Sequence, residues 1–379
     1  MSEFRGYLDM LRQQGREAGR DYWDFSKYLE EKARKMNIPL YGQFELTPLC
    51  NLGCKMCYVH RAEKEMAGSK PLAVSVWKEL MAQAFSAGMF EAALTGGECL
   101  TYPGFDELYL YLQSLGIQAT VMTNGLLLTE ERLRFFGEHP PALIQVTLYG
   151  PNEDAYERVT GRRVFHTVTE HLQQVRAAGL PLSVTVTPNR HLGEDVFETI
   201  RLAHSLSKDV FINTSLFAPP EEPWRLTEED EMDAAFYARI LRYDRELRGL
   251  SVQEIPESIL PEPGGTCTGY AECGVTCGGG RSWFVIDWRG RMHPCNRLQG
   301  SSEPLKEGFA EAWRKINQIA NSWPRTAACI GCAYEDVCDY CAANRAKYAE
   351  PGEQPLALCR RTKLLVSKGV LPSPECGPV

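Results

Sequence analysis

The stretch LYGQFELTPLCNLGCKMCYVH, residues 40–60, carries two signals back to back. Residues 40–47 read as a β-strand, and Cys50, Cys54 and Cys57 follow it within eight residues. Three thiols cannot all pair among themselves. The N-terminal segment MSEFRGYLDMLRQQGREAGRDYWDF is charged and lacks the apolar core of a signal peptide. The expected location is therefore the reducing cytoplasm, where disulfides are disfavoured and clustered cysteines read as metal ligands.

Working outward, a regular alternation surrounds this loop. Helix is expected over 75–88, 104–116, 129–139, 164–179 and 194–207, and strand over 91–96, 117–125, 142–150, 180–188 and 209–217. Six strands alternating with five helices imply parallel strands joined by right-handed crossovers. About 175 residues is short of the ~250 of a full eight-unit barrel. An open doubly wound sheet and a partial (β/α)6 barrel both remain open on this ground. In either, ligands bind beyond the carboxyl ends of the strands, where the three cysteines lie.

The chain has 379 residues, more than one ordinary core supports, so more than one domain is expected. Residues 1–40 read as an N-terminal helical segment and 41–217 as the α/β unit. Residues 218–266 read as a helical bridge and a Pro/Gly-rich linker, and 267–379 as a cysteine-rich region with little periodicity. A composition of 44% hydrophobic and 24% charged residues is that of a soluble globular protein. No run of roughly 18 apolar residues exists, so no membrane span is expected. A net charge of −8 argues against nucleic acid as the main partner.

Of the 14 cysteines, three sit at 50–57, one at 99 and ten between 267 and 376. The loop C-x3-C-x2-C followed by Tyr58 resembles the signature of radical S-adenosylmethionine (radical SAM) enzymes. The resemblance implies a partial barrel and a 4Fe-4S cluster on Cys50, Cys54 and Cys57. It further implies that the fourth iron binds SAM, and that one electron splits SAM to a 5'-deoxyadenosyl radical. The competing reading is a zinc loop completed by His60. LTGGECL (94–100) matches the family segment for the SAM amino group, with Gly96 and Gly97 admitting a ligand closely and Glu98 accepting from the ammonium. Asn124 and Thr147, at the ends of the third and fourth strands, lie where relatives contact SAM. Many relatives have an Arg-Gly pair where this chain has Thr160-Gly161, so Arg158 or Arg162 is the candidate partner of the SAM carboxylate.

Cys277, Cys295, Cys329, Cys332, Cys338, Cys341 and Cys359, with Gly290 five residues before Cys295, resemble the SPASM domain of peptide- and protein-modifying radical SAM enzymes. The chain departs at one point: two residues, not three, separate Cys338 and Cys341. The resemblance implies two auxiliary 4Fe-4S clusters, three in all. One is held by Cys329, Cys332, Cys338 and Cys359. The other is held by Cys277, Cys295 and Cys341 with Cys267 or Cys273, or with an open iron. The alternative is a zinc finger on Cys329, Cys332, Cys338 and Cys341, whose pairs lie closer than the ~12–20 residues usual for zinc.

Auxiliary clusters suit a net oxidation, which favours thioether or carbon–carbon crosslinking of a ribosomally made peptide. Sulfatase-maturing relatives have an aspartate base after the cysteine that ends the first SPASM stretch. This chain has Asn296, which cannot take up a proton at neutral pH. Epimerisation would need a thiol hydrogen donor, for which Cys99 and Cys376 are the unassigned candidates, inert burial or surface exposure being the plainer reading of each. A small-molecule or cofactor-biosynthesis substrate is a further alternative. Expected partners are a peptide substrate and an electron donor such as flavodoxin or ferredoxin; because residues 1–40 are too short and helical for a winged-helix leader binder, either a separate protein binds the leader or the substrate has none. An iron–sulfur electron carrier is the non-enzyme alternative, and it would have no need of the GGE segment.

Overall fold

The computed structural model describes residues 22–59, 70–217, 232–263, 275, 277–298, 300–323, 329, 332–334, 337, 338, 341 and 354–373. Residues 1–21, His60, Cys267, Cys273, Cys376 and residues 218–231 and 264–266 of the expected bridge lie outside them. The expected alternation is present. Strands β1 (Tyr41–Glu45), β2 (Glu91–Thr95), β3 (Gln118–Thr123), β4 (Leu143–Leu148), β5 (Leu182–Val186) and β6 (Asp209–Ile212) pair in parallel in sequence order. Helix α1 (Tyr22–Met36) precedes them. Helices α2 (Val74–Ser86), α3 (Phe105–Ser114) and α4 (Glu130–Glu138) fill the first crossovers. Helices α5 (Glu153–Thr160), α6 (Phe165–Ala177) and α7 (Asp195–Leu206) complete them, making the partial barrel.

The interiors of β1, β2 and β5 are buried on both faces, Ala92, Ala93 and Leu94 fully so, whereas β3 and β4 alternate buried and half-buried residues. Local chemistry fixes the helix starts. Thr129 accepts from the Arg132 amide and Asn152 from the Ala155 amide, each satisfying an orphan donor of a first turn. The second of these opens α5, a helix the sequence reading did not include. Its signals were Asn152, acidic Glu153 and Asp154 in the first turn, and Gly161 with φ +75° as the left-handed stop.

The C-terminal region is more regular than its sequence suggested. Strand β7 (Trp283–Ile286) pairs in parallel with β1, and β8 (Met292–His293) pairs antiparallel with β7. The sheet order is β6-β5-β4-β3-β2-β1-β7-β8. Phe44 of β1 meets Trp77 of α2 and Phe284 of β7 edge-to-face, at 6.0 and 5.9 Å. One core therefore runs across both. Helix α9 (Phe309–Ser322) buries Phe309, Ala312, Trp313, Ile316 and Ala320, a three- and four-residue period. Trp313 Nε1 donates to the Asn37 carbonyl at 2.7 Å. Helix α8 (Ala234–Leu247), capped by Asp233, packs on α7 and on α10 (Leu356–Ser367). Among the described residues no helix is long and apolar enough to cross a membrane.

Candidate active site

The carboxyl ends of β1–β6 surround a cavity of ≈ 370 Å³. Cys50, Cys54 and Cys57 line it, as do Gly96, Gly97, Asn124 and Thr147. Along β4 the cavity face is Gln145, Thr147 and Tyr149, while Ile144, Val146 and Leu148 turn into the core. That is the two-residue period of a strand doing two jobs.

Backbone hydrogen bonds grip the cysteine loop on two sides. On one, Gly97 N–H donates to the Thr47 carbonyl at 2.6 Å and Glu98 N–H to the Leu49 carbonyl at 2.9 Å. On the other, Gly53 and Lys55 donate to the carbonyls of Thr160 and Val159 at 2.9 and 3.0 Å, at the end of α5. This explains the glycines. Gly96 has φ +139°, and a Cβ there would lie 2.4 Å from the Thr47 oxygen; a Cβ on Gly97 would lie 2.3 Å from the Leu49 oxygen. The close approach they permit is to the chain's own cysteine loop.

Glu98 is 1% exposed and is not among the residues lining the cavity. Its carboxylate accepts from Thr123 Oγ1 (2.8 Å), the Asn124 amide (2.7 Å) and the Leu100 amide (3.1 Å). Burial raises its pKa, against these three donors. The side chain thus ties β2 to the end of β3. Asn124 extends the tie: Nδ2 donates to Asn51 Oδ1 at 2.6 Å and lies 3.6 Å from Cys50 Sγ. Neither candidate arginine reaches the cavity. Arg158 points off α5 to pair with Asp195, with its side chain 49% exposed, and Arg162 is exposed beyond the helix end. The helix geometry turns both outward, and this segment reaches the cysteine loop with carbonyls instead.

Hydrogen-bond donors converge on the cysteine sulfurs. Leu52 N–H points at Cys50 Sγ (3.4 Å), Gly279 N–H at Cys277 Sγ (3.4 Å), and the Arg297 and Leu298 amides at Cys295 Sγ (3.4 and 3.2 Å). Thr362 Oγ1 reaches Cys338 Sγ (3.4 Å) and Gln354 Nε2 reaches Cys359 Sγ (3.7 Å). Such donors stabilise ligating thiolates and tune cluster potentials. Burial pushes the Cys50 and Cys295 thiols up to about 12 and raises Cys54 as well, so these sites hold thiolate only opposite a cation such as iron. Cys277 and Cys341 lie near enough for their charges to act on Cys295, and Cys332 acts likewise on Cys359. These donor sets fit iron–sulfur clusters. Among the described residues no three His, Cys, Asp or Glu side chains converge as ligands of a single ion would.

Cys99 is fully buried in the main core, with its thiol 3.2 Å from the Met122 carbonyl, and does not line the cavity. A hydrogen-donor role for it has no geometric support, because the strand-end turn directs the thiol under the sheet. Four cavity residues escaped the reading as a group. Tyr58 follows the cysteine loop, and its ring meets Phe217 beyond β6 at 4.5 Å. Asn296 Nδ2 donates to Tyr58 Oη at 3.0 Å, and the Arg297 guanidinium lies 4.4 Å over the Phe217 ring. This seam joins three segments distant in sequence, so spacing alone could not reveal it.

Comparison with known proteins accords with this geometry. Residues 44–203 match the model of the radical SAM superfamily. The AdoMet-dependent heme synthase of Methanosarcina barkeri is 25% identical over 351 residues, spanning 86% of this chain and 98% of that protein. The PqqA peptide cyclase of Bradyrhizobium diazoefficiens is 23% identical over 321 residues, 80% of this chain and 81% of its own. In fold, Streptococcus suis SuiB bound to precursor peptide SuiA matches with a TM-score of 0.65 at 17% identity, over 95% of this chain and 88% of that one. Residues 44–203 therefore carry a radical SAM domain, and the chain resembles the peptide-modifying maturases of that superfamily.

Proposed function

We propose that this enzyme oxidatively crosslinks a ribosomally synthesised peptide, forming a thioether or carbon–carbon bond. The observation that carries the reading is the set of three half-buried thiols on one loop gripped by backbone, opening on a cavity of ≈ 370 Å³ at the carboxyl ends of the strands. The peptide-cyclase relative supports the substrate class. A SAM-bound 4Fe-4S cluster supplies one electron and, from SAM, a carbon radical that takes a hydrogen atom. Cys50, Cys54 and Cys57 hold that cluster. The backbone of Gly96 and Gly97, with Asn124 and Thr147, faces SAM. Glu98 holds that wall in place from behind.

The C-terminal cysteines resemble a SPASM set. Cys329, Cys332, Cys338 and Cys359 hold one auxiliary cluster; Cys277, Cys295 and Cys341, with Cys267 or Cys273, hold the other. Clusters held there would supply an acceptor for the electron that a two-electron oxidation of substrate leaves behind. Asn296, engaged with Tyr58, offers no base, which counts against formylglycine formation. A flavodoxin or ferredoxin supplies electrons, and a separate protein presents the leader. The heme-synthase relative, matched over nearly its whole length, favours a second reading in which the substrate is a porphyrin.

The test is anaerobic turnover in deuterated water, with the peptide encoded beside the gene or with an iron porphyrin. Crosslinking predicts one SAM consumed per modification and a peptide lighter by two hydrogens. A peptide of unchanged connectivity that gains one deuteron means epimerisation. A formylglycine product means sulfatase maturation. Porphyrin turnover with no peptide modified moves the enzyme to the second reading.

A further inference from the structure

Among the described residues lining the cavity, Arg297 is the one that carries a formal charge; the rest are neutral polar side chains, cysteines, glycines, apolar side chains and aromatics. The chain as a whole carries −8, so an anion approaching the cavity needs local positive charge to enter. The guanidinium lies 4.4 Å over the Phe217 ring, which packs on Tyr58, which in turn accepts from Asn296. Its own backbone amide is directed at Cys295 Sγ. A stacked guanidinium with a fixed fork is pre-organised for a carboxylate, because little side-chain freedom is left to lose.

Position separates this group from the wall assigned to SAM. Gly96, Gly97, Thr123 and Asn124 follow the middle strands β2 and β3. Tyr58, Phe217 and Arg297 form the seam where the segments after β1, β6 and β8 meet. We propose that Arg297 receives a carboxylate of the substrate, so that the substrate is an acid whose adjoining part packs along Tyr58 and Phe217. This deepens the function proposed above and rests on it. The acid is a peptide carboxylate in the crosslinking reading and a porphyrin propionate in the second, and the chemistry recognised is the same.

The experiment uses reconstituted holoenzyme with SAM and two probe pairs, read by calorimetry. One pair is N-acetyl-glutamyl-tyrosine amide and its glutamine counterpart. The other is mesoporphyrin IX and its dimethyl ester. In the wild type the acid of at least one pair binds about tenfold or more tighter than its neutral partner, as a charge-assisted bidentate contact requires. Which pair responds identifies the source. Arg297→Gln removes the preference, and Arg297→Lys, which keeps charge but not the fork, retains part of it. The proposal is overturned if neither acid is preferred, or if the preference survives Arg297→Gln. It is equally overturned if Arg297→Gln weakens SAM binding about tenfold, since the guanidinium then serves SAM's own carboxylate. Iron content and SAM binding are read on the same samples. Loss of the cluster reading is thereby distinguishable from loss of this one.

Discussion

The two cysteine-bearing regions are built on opposite principles. Around Cys50, Cys54 and Cys57 the backbone is gripped by β2's exit turn and by the end of α5, and the strands beneath belong to a continuous apolar core. Between Cys329 and Cys341 no described residue lies in a strand or an α-helix. Support there comes from single turns, such as the Cys338 amide on the Tyr334 carbonyl at 2.6 Å, and from a small apolar group of Leu260, Tyr334 and Val366. The first loop has its shape from the polypeptide. Among its described residues the second region shows little core of its own; if its thiols hold clusters as proposed, these would stand in for one.

The contrast can be broken at several points. Replacing Cys50, Cys54 and Cys57 together by Ala is expected to abolish SAM cleavage, measured as 5'-deoxyadenosine, while the thermal midpoint moves by only a few degrees. A large loss of fold would show that the first loop, too, depends on what it binds. Next in size, stripping iron with a chelator should raise hydrogen exchange by orders of magnitude around residues 329–341 and leave β1–β5 protected. Uniform loss of protection would erase the distinction.

A smaller effect is expected from Gly96→Ala. The left-handed φ of +139° and a Cβ 2.4 Å from the Thr47 oxygen should together cost about 2–5 kcal/mol in urea unfolding. Full stability in that variant would mean that the loop is not gripped as described. The smallest concerns Asp287, in the turn between β7 and β8. Burial acts to raise its pKa, but the His293 hydrogen bond and the Arg291 charge outweigh burial and hold it below its usual 3.8. A depressed carboxyl contributes stability above its unfolded pKa and loses it as pH falls through the folded value. Stability should therefore drop below about pH 4, and Asp287→Asn should flatten that drop.

The barrel was legible because each strand and helix carries its own period: β4 alternates, and α7 repeats Val196, Thr199, Ile200 and Ala203 on one face. The cysteine groups were legible as groups because their members lie close together in sequence. Helix α9 was equally periodic, with Phe309, Ala312, Trp313 and Ile316, and was lost only against its cysteine-rich surroundings. The role of Glu98 was not legible. A glutamate after two glycines reads the same whether its carboxylate faces a ligand or turns back on Thr123 and Asn124, and only burial decides. The seam of Tyr58, Phe217, Asn296 and Arg297 was hidden for a different reason, since its members meet through tertiary closure. Parallel pairing of β7 with β1 is likewise non-local and leaves no mark on either segment.

That last pairing has a consequence in time. β1 leaves the ribosome about 240 residues before the strand that covers its flank. At ~5–20 residues per second, this is a delay on the order of ten to fifty seconds. Once β2 has followed, the strand feeding the cysteine loop has β2 on one side and an open row of amides and carbonyls on the other until β7 arrives. The nascent chain thus passes through a stage in which the first metal loop and its grip are complete while its roof is not. That interval is when the unprotected edge of β1 most needs a chaperone.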